Sequence, residues 1–360
     1  MKRILLTFFK LSLVIIAAFY ILCSISPLIM YGNNTDNSPD DTTAYFYYLP
    51  KNTVDLLFLG DSHSYCTYIS KQIFDETGIA SASLATSSNS IVNSYWELKE
   101  VLKHQKPKVV VFETFSLESS GVKILRDDFN HYATGIANMP DYSLNKIKAY
   151  FDIKYQEKEY SYNISFHDIF LFIKYKEGYN KDRRHISEYF QFVKDPVREY
   201  DTFGYYPTTE VTKLDNVVPY RINNEYIDFE TTVEYKYLNK IKELCDNNNI
   251  KLLLSRPLFY ADYDLHFLKK QVDDWASENK IPIIDYFDTS KDGDYDYNSD
   301  FRDKGHFNYL GAKKATDYFI EYIKKHYSFE DHRGDSRYVL WENNNFDYNL
   351  VEETTKENGK

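Results

Sequence analysis

The sequence predicts an α/β protein whose five strands form one parallel sheet with helices on both faces. Three observations point there. Apolar runs of strand length recur along the chain, helical spacing fills the stretches between them, and the early connections are short. The first run is Val54 to Leu59, broken abruptly at Gly60. Residues 64–76 then set Tyr65, Ile69 and Phe74 roughly on one helical face and stop at Gly78. Residues 79–84 read as a short second strand leading into ATSSNS at 85–90. Tyr95, Leu98 and Leu102 give residues 91–104 a helical core face, and Pro107 introduces the third strand, KVVVF at 108–112. Later, residues 229–247 read as a helix and IKLLLS at 250–255 as the fourth strand, ending at Arg256-Pro257. A helix at 263–279, the fifth strand IPIIDY at 281–286 and a closing helix at 310–325 complete the alternation.

Two segments fall outside it. Residues 116–206 are dense in Tyr, Phe, Lys and Asp, with helix-like pieces near 144–151 and 167–175. They read as an insertion after the third strand within a body spanning 51–327. Insertions at that edge shape substrate clefts, and docking of a partner protein fits equally. Residues 328–360 are polar and end in a charged run, which reads as a poorly ordered tail or a surface wrap.

Lys2, Arg3 and Lys10 precede residues 11–31, which carry no charge. That length spans the ~30 Å hydrocarbon core as a helix. The following stretch, 32–50, is a polar linker with Asp36, Asp40 and Asp41 but no basic residue until Lys51. The positive-inside rule puts residues 1–10 in the cytoplasm and the body outside the cell membrane as a single-pass protein. Ile25-Ser26-Pro27 makes a poor cleavage site, which favours a retained anchor over a signal peptide.

With 43% hydrophobic and 27% charged residues, the body has enough apolar content for a core. A net charge of -11 argues against nucleic acid as a partner. Thirty-five Tyr and 25 Phe are an excess that suits sugar stacking or reflects compositional drift. Cys23, Cys66 and Cys245 have neither metal-ligand spacing nor a disulfide framework. Cys66 and Cys245 read as structural, and no metal or cofactor is expected.

The chemistry gathers at two places. Gly60-Asp61-Ser62-His63 follows the first strand, where a parallel sheet presents catalytic groups at its carboxyl edge. Asp303-Lys304-Gly305-His306, with Asn308 and Gly311, follows the last strand and reaches the same edge. A serine hydroxyl needs a base within hydrogen-bond reach, and the base needs an orienting group. Asp303 and His306 are three apart, so one turn presents both. His63 should point away and form a wall. Glu113 reads as a solvated or ion-paired strand-end residue, and Arg256 as either an anion holder or a structural ion pair.

Gly60-Asp61-Ser62 after an apolar strand, with Asp303-x-x-His306, Asn308 and Gly311 near the carboxyl end, resembles the SGNH (GDSL-type) hydrolase superfamily. The resemblance covers about a third of the chain. It implies a flavodoxin-like three-layer fold, Ser62 as nucleophile, His306 as base, Asp303 as its orienting carboxylate and the Ser62 N–H as an oxyanion donor. The pattern's glycine after the second strand and asparagine after the third are missing here, where Leu84–Asn89 and Phe112-Glu113-Thr114 stand. Asn89 or the Ser87 N–H is the candidate replacement donor. The apolar amino-terminal run, ATSSNS and QKPKVV at 105–110 are similar to extracytoplasmic SGNH-like proteins of cell-surface polymer acylation, including alginate and peptidoglycan O-acetylation components and the D-alanyl-transfer protein of teichoic acid synthesis. That likeness implies O-acyl transfer, usually acetyl, to an exported polysaccharide, with a membrane-bound O-acyltransferase as partner. A serine esterase with the same residues and a non-catalytic docking protein are the alternatives.

Overall fold

The computed structural model describes residues 2–31, 46–47, 49–118, 131–132, 134–140, 142–156, 162–163, 169, 202–214, 228–258, 268–289, 295–344 and 346–360. Five strands, β1 (Leu56–Leu59), β2 (Ser81–Ser83), β3 (Val109–Glu113), β4 (Lys251–Arg256) and β5 (Ile283–Asp285), form one all-parallel sheet in the order β2-β1-β3-β4-β5. Registers such as Leu57↔Val110 and Val111↔Leu253 hold the centre together.

Strand alternation sorts the core into two layers. Leu57, Leu59, Val110, Phe112, Leu252 and Leu254 join one buried cluster with helices α4 (Ile91–Val101), α6 (Leu144–Gln156), α7 (Val233–Asn247) and α8 (Lys269–Glu278). Leu56, Phe58, Val109, Val111 and Leu253 join the other, with α3 (Ser70–Thr77) and α9 (Tyr309–His326). Side-chain caps start the helices as their chemistry requires: Ser90 accepts from the Asn93 N–H at α4, and Asn308 from Leu310 and Gly311 at α9.

The predicted helix at 64–76 is two. Helix α2 is only Ser62–Tyr65, and α3 starts at Ser70 after an extended Ile69. The break is tertiary. Thr316 on α9 donates to the Thr67 carbonyl at 3.1 Å and accepts from the Ile69 N–H at 3.1 Å, so backbone groups a continuous helix would use internally go elsewhere. Within the insertion, the 144–151 piece extends to Gln156 as α6, whereas the 167–175 piece lies outside the described residues apart from Ile169.

The carboxyl-terminal segment is a surface wrap. A 3-10 turn (Ser336–Tyr338) leads to α10 (Val339–Glu342), and α11 (Tyr348–Asn358) follows. Trp341 is fully buried against edge strand β2, its indole N–H donating to the Ser81 carbonyl at 3.0 Å and its ring stacked on Phe203 at 4.6 Å. Cys66 and Cys245 are both buried free thiols.

At the amino end, α1 runs Lys2–Tyr31, about 45 Å at 1.5 Å per residue. Over Lys2–Leu22 it is long and apolar enough to cross a membrane, and none of that stretch is buried.

Candidate functional site

The chain runs from β1 out to β2 and returns across the sheet to β3, so the strand order switches between β1 and β3. Crevices for ligands open at such a switch, outside the carboxyl ends of the strands. Gly60 makes the turn there with φ +138°, and a Cβ on it would come within 2.5 Å of the Glu113 Cβ. Only glycine fits that approach. Asp61 then caps α2 by accepting from the His63 N–H at 2.9 Å, and Ser62 is the helix's first residue. Its N–H therefore lies outside the helix's own hydrogen bonds.

The second piece arrives on a tight loop before α9. Phe301 and Phe307 form an antiparallel bridge across it, and the Arg302 N–H donates to the His306 carbonyl at 3.0 Å. Gly311 lets α9 approach this loop, since a Cβ there would sit 2.3 Å from the Asp300 carbonyl oxygen. The closing insertion segment, 202–214, bridges both pieces. Tyr206 N–H donates to the Tyr65 carbonyl at 2.9 Å, Tyr309 N–H to that of Thr208 at 3.0 Å, and Thr212 N–H to that of Phe301 at 2.9 Å.

Ser62, His306 and Asp303 come together in one line. Ser62 Oγ stands 2.7 Å from His306 Nε2, and His306 Nδ1 stands 2.8 Å from one Asp303 oxygen and 3.1 Å from the other. With Nδ1–H given to Asp303, a neutral imidazole presents its Nε2 lone pair to the serine hydroxyl. Asp303 also accepts from the Gly305 N–H at 2.7 Å and from Arg302 Nε at 3.0 Å. Burial works against ionising it, but the bonds to His306, Gly305 and Arg302 hold its carboxyl well below the usual range. Burial lowers the His306 imidazole; Asp303 opposes this, and the nearby charges of His63 and Arg302 add to it. The chemistry on offer is proton removal from Ser62 by a base that stays neutral near pH 7.

A second imidazole–carboxylate pair lies against the first. His63 Nδ1 is 2.8 Å from Asp61 Oδ1, and the His63 ring stacks on His306 at 4.8 Å and packs on Phe115 at 4.2 Å. His63 does not point away from the site, as its place beside Ser62 suggested; its ring forms a wall directly against His306. Burial alone would raise the Asp61 carboxyl, yet the charge of His63 and hydrogen bonds from His63 and Glu113 hold it low. Glu113 is neither solvated nor paired with a cation. It is buried, accepts from the Asp61 N–H at 3.2 Å and from the Phe115 N–H, and lies beside the Asp61 carboxylate. Burial first, then the Asp61 charge, push its carboxyl well above the ordinary range. Ligand atoms of Asp61, His63 and Glu113 lie within 4.8 Å of one another, a donor set a cation could use. His63 Nδ1 is bonded to Asp61, and Glu113 accepts from two backbone N–H groups.

The other candidates sit differently. Asn89 is buried, and its amide N–H groups are shared among the Gly60 carbonyl at 3.2 Å, Ser94 Oγ at 3.3 Å and Glu97 at 3.0 Å. That use braces the Ser62 turn from behind in place of donating beside it. Glu97, which pattern reading passes over, is driven by burial to about 8 against the opposing Asn89 bond. Ser87 stays near the site, its hydroxyl 3.1 Å from that of Tyr65 on α2. Arg256 resolves to the structural reading: it is buried, and its guanidinium binds Glu118 at 2.7 Å, Asp273 at 2.6 Å and Asp285 at 2.6 Å. Arg302, beside Asp303 and His306, and Tyr206, against Tyr65, carry no motif. Arg302 was signalled only by adjoining Asp303, and its guanidinium lies 5.9 Å over the Tyr206 ring. Searched against models of known protein families and against curated proteins, the chain finds no match.

Proposed function

We propose that this protein is a membrane-anchored, serine-dependent O-acyltransferase of SGNH type whose body lies outside the cytoplasmic membrane. The observation carrying this reading is the continuous hydrogen-bond line Ser62–His306–Asp303, at 2.7 and 2.8 Å, on the carboxyl edge of a parallel sheet. The strand order β2-β1-β3-β4-β5 supports the flavodoxin-like arrangement of that superfamily. In the first half-reaction, Ser62 Oγ attacks the donor's acyl carbonyl while His306 Nε2 takes the hydroxyl proton. Collapse of the tetrahedral adduct breaks the bond to the donor's leaving group, which receives that proton from His306. In the second, His306 removes the proton of an acceptor hydroxyl, whose oxygen attacks the acyl-enzyme. Ser62 leaves and recovers the proton from His306. The Ser62 N–H stabilises both oxyanions.

An exported polysaccharide is the proposed acceptor, acetyl the proposed acyl group, and a membrane-bound O-acyltransferase the proposed donor-side partner. The apolar helix α1, with Lys2 and Arg3 at its start, supports the anchoring and its orientation. An esterase would use the same three residues with water as the acceptor. The test follows acetyl release from an activated ester by the full chain and by Ser62→Ala, with and without a sugar oligomer. A Ser62-dependent transfer of acetyl to sugar is expected, with turnover down at least about a thousandfold in Ser62→Ala. Ser62-dependent release to water alone converts the reading to an esterase. Equal turnover by both proteins removes the enzyme reading.

A further inference from the structure

The carboxylate that orients His306 is not itself enclosed. The Asp303 side chain is 44% exposed, against 18% for His306. Packing therefore does not fix its rotamer, and a carboxylate free to turn cannot hold an imidazole in one tautomer and one orientation. Hydrogen-bond donors fix it instead. Asp303 Oδ1 takes the His306 Nδ1–H at 2.8 Å and the Gly305 N–H at 2.7 Å. Oδ2 takes Arg302 Nε–H at 3.0 Å, with His306 Nδ1 at 3.1 Å. A donor on each oxygen sets the plane of the group.

Arg302 also faces the base. Its Nη2 is 3.5 Å from His306 Nδ1. That nitrogen gives its proton to Asp303, so both atoms are donors, and the contact is one of charge rather than a hydrogen bond. The titratable groups around the guanidinium are Asp303 and His306 on its own loop, and Tyr65 and Cys66 at the end of α2. Burial pushes the Cys66 thiol up, which leaves Asp303 as the carboxylate that the guanidinium meets. On its other side His306 faces His63, the partner of Asp61.

The insertion holds Arg302 in turn. The Tyr206 ring lies 5.9 Å from its guanidinium, within cation–π reach, and the Thr212 hydroxyl donates to the Arg302 carbonyl at 2.6 Å. Tyr206 is itself tied to α2: its N–H donates to the Tyr65 carbonyl at 2.9 Å, and its ring meets that of Tyr65 edge-on at 6.0 Å. One chain of contacts thus runs from the helix that carries Ser62, through Tyr206 and Arg302, to Asp303.

We propose that Arg302 is a positioning residue for the Asp303–His306 pair, and that Tyr206 and Thr212, at the end of the insertion, hold it in that role. The proposal rests on reading Ser62, His306 and Asp303 as a catalytic line. It gives residues 202–214 a part in setting that line, beyond any contact with substrate.

The test measures kcat and KM of the full chain across pH for an activated acetyl ester, in Arg302→Met, Arg302→Lys and Tyr206→Leu, with Ser62→Ala as reference. Arg302→Met should lower kcat about ten- to hundredfold with KM little changed, as small misplacements of reacting groups do. Its acid limb should also move to higher pH, because His306 must be neutral to act and the Arg302 charge adds to burial in keeping it so. Arg302→Lys keeps the charge but loses the planar fork, so kcat should fall while the limb stays in place. Tyr206→Leu should lower kcat severalfold and leave the limb unmoved. A merely structural arginine would weaken both Arg302 variants alike and move neither limb; that result overturns the proposal, as does full kcat in Arg302→Met. If Arg302→Met does not fold, undiminished kcat in Arg302→Lys overturns it. A change in KM alone for Tyr206→Leu overturns the role of the insertion and assigns the ring to substrate. Turnover that survives Ser62→Ala overturns the catalytic line and the role of Arg302 together.

Discussion

At the scale of single residues, His306 carries the most testable chemistry. Its imidazole is lowered by burial and by its neighbours' charge, and it must be neutral to accept the Ser62 proton. Activity should therefore persist below the ordinary imidazole value of about 6.5 and fall only as pH drops through the depressed one. His63 contributes to that depression from 4.8 Å away, because a charge there opposes a charge on His306. Replacing His63 by Phe keeps a ring between Phe115 and His306 but removes the charge. His63→Phe should move the acid limb of kcat/KM for an activated acetyl ester to higher pH. An unmoved limb would mean that His63 serves by shape alone. The three members of the Ser62 line were legible in the sequence, since strand ends and a three-residue spacing fixed where they had to meet. The closeness of the Asp61 and Glu113 carboxyl groups was not. It depends on two carboxyl groups from β1 and β3 being driven together in a buried space, and no local pattern records that distance.

Elements are held to one another by polar clips that end strands. Arg256 at the end of β4 reaches Glu118 on the short helix α5 (Phe115–Glu118), Asp273 on α8 and Asp285 on β5. Arg256 and Glu118 are both essentially inaccessible, whereas Asp273 and Asp285 are also served by Lys269 at 2.8 and 3.3 Å. Arg256→Met should therefore lower stability by about 3 kcal/mol or more, mainly through Glu118 left buried without its cation. Urea unfolding measures it, and the double change Arg256→Met with Glu118→Gln should recover part of the loss. The break between α2 and α3 follows the same logic on a smaller scale. Thr316, 247 residues from Ile69, decides it by offering a better partner than the next helical turn.

For the whole molecule, the carboxyl-terminal wrap, one of the two forms expected of residues 328–360, is a strong contributor to the sheet's edge. Trp341 covers β2, stacks on Phe203 of the insertion and donates to the Ser81 carbonyl. It thereby shields an edge strand and ties the wrap to the insertion. His332, stacked on Tyr338 at 3.8 Å, lies 3.0 Å from the buried Asp55 carboxylate next to the start of β1. Trp341→Ala should cost about 3–5 kcal/mol, read as a lowered urea midpoint, because it removes a large buried ring and leaves a cavity. The alternation of apolar runs and helical faces by itself determined the α/β class, the five strands and the edge where Ser62, Asp303 and His306 meet, because strand and helix periods are local properties of the chain. The tertiary structure alone decided that Asn89 braces Gly60, that Arg256 is enclosed and that the polar tail becomes a wrap. Those outcomes turn on which polar group finds a partner in a buried space, and the partners lie tens to hundreds of residues away.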